Sequence, residues 1–155
     1  MTAKAVEYNG WCIVLGQDFR QKFVVKDPSL PQVDNPDYDP DYPEDITNRK
    51  LIYQPKDLTG WDAKMTIRDA AGLSGNEIIT LDTPAGATNG ITIGSVDPTD
   101  GTIELFIDNT VTEIAPFIDN VGNVYYDLWL IPPTPQDNQR ILFGTIEIVE
   151  PVTDV

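Results

Sequence analysis

Asp37, Asp39 and Asp41 stand two residues apart inside the stretch NPDYDPDYPED, residues 35–45. Carboxylates at alternate positions open a calcium-binding loop, because a hard cation is held by clustered oxygen ligands. Such a loop then needs glycine at its sixth position, for a sharp turn, and glutamate at its twelfth, to close on the ion with both oxygens. Those positions are Tyr42 and Asn48 here, so the pattern fails where its geometry is most demanding. Calcium at Asp37, Asp39 and Asp41 is the least of three readings. The second is a solvated loop. The third is a docking loop, in which Tyr38, Tyr42 and the prolines are rigid apolar groups in a charged frame, as interface tyrosines often are. No cofactor is expected.

Other chemistry is sparse. The chain has no histidine, which removes the commonest general base and the commonest zinc ligand. GLSG is not a nucleophile elbow, and neither a phosphate-cradling loop nor a dinucleotide fingerprint is found. Paired carboxylates remain arithmetically possible. Asp127 in YYDLW is the best single candidate, yet the alternation of its strand puts it on the outward face. No enzyme activity is expected. The single cysteine, Cys12, sits in the apolar run WCIVLG and is expected to be buried and inert. Trp61 shares the apolar face of its segment and belongs in the core. Tyr125 and Trp129 lie opposite the main aliphatic row of theirs, where they could stack on a glycan, contact another subunit, or form a second core face.

Charge narrows the partners further. The net charge is −15 and the isoelectric point is near 4.1, so nucleic acid and anionic lipid are repelled. Of the ten basic residues, none falls between Asp27 and Asn48. The opening MTAKAVEYNG lacks an apolar signal core, and no apolar run reaches the length of a membrane span. The expectation is a soluble protein made in the cytosol.

The elements that must position these residues are strands. WDAKMTIRD sets Trp61, Ala63, Met65 and Ile67 against Asp62, Lys64, Thr66 and Arg68, and VYYDLWLI sets Val124, Tyr126, Leu128 and Leu130 against Tyr125, Asp127 and Trp129. A period of two describes a sheet with one buried face. Similar patterns predict strands at about 10–15, 19–26, 50–54, 61–68, 77–82, 90–96, 102–107, 124–131 and 141–149. AAGLSGN, PAGATNG, DPTDG and NVGN supply the turns between them. NTVTEIAPF has room for one helical turn before Pro116. Residues 27–49, with five prolines and seven carboxylates, show no alternation and read as a long loop interrupting two strands. Short, regularly spaced strands of this kind predict one all-β domain over residues 1–155, an immunoglobulin-like antiparallel β-sandwich with the acidic insertion at about 27–49.

An ordered set of motifs then carries a resemblance. Gly16, Asp18 and Phe19 come first, followed by DLTGW (Asp57 to Trp61) and a strand ending at Arg68. Gly101, Ile103 and Leu105 follow, then Tyr126 to Leu128, and finally Gly144, Ile146 and Val149. Over about residues 14–150 the chain resembles the β-sandwich family of tailed-bacteriophage tail-tip collar, baseplate and minor tail proteins. The insertion is longer and more acidic than that pattern. The resemblance implies a non-catalytic virion protein, an assembly or adaptor subunit of the tail, tail tip, collar or baseplate. It would be assembled in the host cytoplasm into a symmetric ring or other multi-subunit structure of virion proteins, without nucleic acid or membrane. Asp37, Tyr38, Asp39, Asp41, Tyr42, Tyr125 and Trp129 are the expected partner contacts. The alternatives are a carbohydrate-binding module, with or without calcium, and a head-decoration protein.

Overall fold

The computed structural model describes residues 5–152. Its strands are β1 (Val6–Glu7), β2 (Trp11–Val14), β3 (Phe19–Val24), β4 (Val33–Asp34), β5 (Leu51–Ile52), β6 (Asp62–Arg68), β7 (Glu77–Asp82), β8 (Asn89–Ile93), β9 (Thr102–Ile107), β10 (Gly122–Ile131) and β11 (Gln139–Val149). A single helical turn, α1 (Asn109–Thr112), follows β9. The larger sheet runs β1-β11-β10-β6-β7, with β2 also paired to β11; the smaller runs β3-β9-β8. The fold is an all-β sandwich.

The period-two patterns do the burying. From the larger sheet Met65, Ile67, Leu128, Leu130, Ile146 and Ile148 point inward, and Ile91, Ile103, Leu105 and Ile107 meet them from the smaller; none exposes any surface. Each such side chain contributes about 1.5–3 kcal/mol when taken out of water. At one end Trp11 lies against Phe19, Phe23 and Tyr126, with ring centroids 5.1–6.3 Å apart. Trp61 is half-buried and packs against the same core, with the Lys56 ammonium 4.8 Å from its ring centroid.

DLTGW folds as its residues dictate. The Asp57 carboxylate accepts from the Thr59 amide and hydroxyl at 2.9 and 2.6 Å. Leu58 is wholly buried, and Gly60 takes a φ of 78° before β6 begins, an angle that other residues adopt only at a cost.

Three expectations are corrected. First, the sheets are not wholly antiparallel, because β1 and β2 run parallel to β11. They are two parts of one edge strand, broken at residues 8–10, where the Tyr8 carbonyl passes over Gly144. A Cβ on Gly144 would lie 2.3 Å from that oxygen, and its φ is 152°. The Asn9 side-chain oxygen takes over as acceptor for the Thr145 amide, at 2.8 Å. Second, Cys12 is exposed. It alternates with Trp11 and Ile13 in an edge strand, and the core takes those two. Third, the insertion at 27–49 is not without strands. Val33 pairs with Ile52 and Asp34 with Leu51, so the segment expected to be a sheet strand at 50–54 is one leg of a separate hairpin arm.

Candidate functional site

Two surfaces gather the residues singled out by sequence. The first is the hairpin arm. Its base is a bridge between Lys26 and Pro55, with the Asp27 amide donating to the Gln54 carbonyl at 2.8 Å. Beyond β4 and β5 the arm is tied by side-chain amides and carboxylates. Asn35 donates to the Arg49 carbonyl at 2.7 Å and accepts from the Asp37 amide at 3.0 Å. Asn48 accepts from the Asp39 amide at 2.8 Å and donates to the Asp39 and Tyr42 carbonyls at 2.6 and 2.8 Å. The residue that breaks the calcium pattern therefore closes this loop with its own amide. The Asp39 carboxylate is engaged too, accepting from the Asp41 amide at 3.0 Å. Among the described residues, no group of three or more His, Cys, Asp or Glu side chains is placed to hold a metal ion.

The tip presents Asp37, Asp39 and Asp41 to solvent, with Tyr42 65% and Ile46 86% exposed; Tyr38 is half-buried. No hydrophobic side chain from 27 to 55 belongs to the core or packs against it. The arm is thus an ordered projection that leaves the core intact, with apolar side chains inside an acidic frame.

The second surface is the outer face of the larger sheet. Tyr125, Asp127 and Trp129 alternate along β10, away from the core. Tyr125 lies between Arg68 of β6 and Thr145 of β11, and Asp127 between Thr66 and Phe143. The next pairing shifts by one residue: Leu128 faces Leu142, but Trp129 faces Arg140. This bulge adds a residue to β11 and turns Arg140 onto the outer face beside Trp129. The Arg140 guanidinium sits 4.4 Å from the centroid of the Phe143 ring. Arg68 donates to the Gly75 carbonyl at 3.2 Å. Together with residues 70–73, these residues line an open groove of about 530 Å³, within the range of ligand sites.

Tyr125 and Trp129 are each about one-third exposed, as outward-facing residues should be, and the structure brings both into this groove. Asp127 joins them there, half-buried. Arg140 and Phe143 had no functional reading from sequence. Phe143 follows from simple alternation in β11, but Arg140 reaches the groove only through the bulge, which periodicity does not reveal. The arm's residues and the groove's residues are separate sets.

No protein-family model matches the chain, and no curated protein matches it. Among the described residues, no helix is long and apolar enough to cross a membrane.

Proposed function

We propose that this chain is a structural subunit of a tailed-bacteriophage virion, a non-catalytic adaptor of the tail, tail tip, collar or baseplate. It would be assembled with other virion proteins in the host cytoplasm, in a ring or other multi-subunit structure. The observation that carries the reading is the arm, an ordered acidic hairpin with exposed Tyr42 and Ile46 that adds nothing to the core of its own domain. A projection of this kind gains its burial from a neighbour, and its charge calls for a neighbour rich in Lys and Arg. The order of motifs from Gly16 to Val149 supports the class of particle.

The test replaces Asp37, Asp39 and Asp41 by Asn. The Asp39 oxygen that accepts from the Asp41 amide is retained in the amide side chain, so the loop keeps its shape and loses three charges. Supplied in trans to a phage lacking its own copy, the wild-type chain is expected in purified particles, and the triple variant at several-fold lower occupancy. Absence of the wild-type chain from particles would sink the virion reading. Equal occupancy of the variant would sink the docking role of the arm.

A further inference from the structure

The groove on the larger sheet has a composition that points to one ligand class. Arg68 and Arg140 are balanced by Glu7 and Asp127 within the same lining, so the groove is close to neutral in a molecule of charge −15. That balance disfavours a polyanion, which Asp127 would repel, and a polycation, which the guanidiniums would repel.

Its polar groups are open. Among the described residues, the side chains of Thr66, Tyr125, Asp127, Trp129 and Arg140 have no hydrogen-bond partner in the protein, and the ion pair found is Arg20–Glu104, elsewhere. The groove thus offers carboxylate acceptors, guanidinium and indole donors, and hydroxyls that do both. The same face offers flat apolar surfaces. Tyr125 and Trp129 are four residues apart on β10, about 13 Å along the strand, with Asp127 between them. A neutral ligand with many hydroxyls and apolar ring faces meets all of these demands together.

We propose that this groove binds a neutral saccharide. Tyr125 and Trp129 would stack on sugar rings, and Asp127 and Arg140 would take paired hydroxyls. The proposal does not depend on the role of the arm, and a phage structural protein or any other sandwich could carry such a site.

The test titrates the intact chain, by nuclear magnetic resonance, with neutral hexose and N-acetylhexosamine tetrasaccharides. A uronic-acid tetrasaccharide and an acidic tyrosine-containing peptide serve as rival probes. Saturable binding of a neutral tetrasaccharide is expected, with the indole N–H resonance of Trp129 shifting and that of buried Trp11 unmoved. Trp129→Ala should weaken binding at least tenfold. Asp127→Asn should do the same, being an isosteric change at a half-buried carboxylate that makes no hydrogen bond among the described residues. An unchanged amide spectrum elsewhere would show that its fold is kept, while Trp61→Phe should leave binding unchanged. The proposal is overturned if neither neutral tetrasaccharide binds, if only the uronic acid or the peptide binds, or if both groove variants bind as well as the wild type.

Discussion

At the scale of single residues, two devices recur. One is an aspartate that accepts from a Ser or Thr two positions later. Asp27, Asp45, Asp57 and Asp97 each accept from both the amide and the hydroxyl of that residue, and Asp108 accepts from the Thr110 hydroxyl. Each fixes a turn at a junction that tertiary contacts alone would leave loose. The other device is Gly144, which lets the first strand cross β11 at close quarters. Gly144→Ala would place its Cβ 2.3 Å from the Tyr8 oxygen and 2.5 Å from Asn9 Oδ1, so the edge strand must move away. We expect a loss of more than about 1 kcal/mol, as for a side chain forced into an incompatible backbone angle. Asn9→Ala removes the acceptor for the Thr145 amide and should cost about 1 kcal/mol. Both changes break one junction, so the double variant should lose less than the sum. Urea melts of the four proteins measure this, and strictly additive losses would show that the two residues act independently.

At the scale of elements, the strands were readable because each carries its burial in its own alternation. Ala63, Met65 and Ile67 on β6, Ile103, Leu105 and Ile107 on β9, and Val124, Tyr126, Leu128 and Leu130 on β10 are all buried as their alternation predicts. The departures are Trp61, only half-buried, and Thr66 and Thr102, buried off the inward rows. What could not be read depends on pairing. β4 is two residues long and has no alternation to show; it exists because β5 lies opposite. The parallel pairing of β1 and β2 depends on Asn9 standing in for a backbone acceptor. The groove depends on a bulge that brings Arg140 round to Trp129, although Tyr125 and Trp129 were legible as outward residues. The arm gives an element-scale prediction. Asn48 holds three of its hydrogen bonds, and the arm makes no core contact. Asn48→Ala should therefore speed amide exchange and proteolytic cutting across residues 35–48 several-fold. The global unfolding free energy should stay within about 0.5 kcal/mol of wild type, as for a surface change away from the core. A large fall in global stability would mean that the arm is part of the cooperative unit.

At the scale of the whole molecule, charge governs stability through three opposing effects. The net charge of −15 at pH 7 makes the compact state repel itself, and that repulsion fades as pH falls toward the isoelectric point near 4.1. Stability should therefore rise on mild acidification. Below that range the turn aspartates take over. Hydrogen bonds from Ser29, Thr47, Thr59, Thr99 and Thr110 hold Asp27, Asp45, Asp57, Asp97 and Asp108 below the usual aspartate range, and those from Ser95 and Thr102 do so for Asp100. A carboxyl whose pKa is lower in the folded state binds fewer protons there than in the unfolded chain. Its contribution is present above the unfolded value of about 4 and is lost as pH falls through the folded one. On the alkaline side, burial pushes the Tyr126 phenol upward, and its hydroxyl donates to the Tyr8 carbonyl at 2.8 Å. Above about pH 10 the unfolded chain ionises this group and the folded chain resists, so stability falls again. The expected curve has its maximum near pH 5, an acid limb below about pH 4 and an alkaline limb above about pH 10. Replacing Asp57 and Asp97 by Asn keeps an acceptor in each turn but removes its titration, so the acid limb should move to lower pH while the alkaline limb stays. Reversible urea melts across this range give the curve, and a stability that is flat or rising below pH 4 would show that these turns do not set the acid limit.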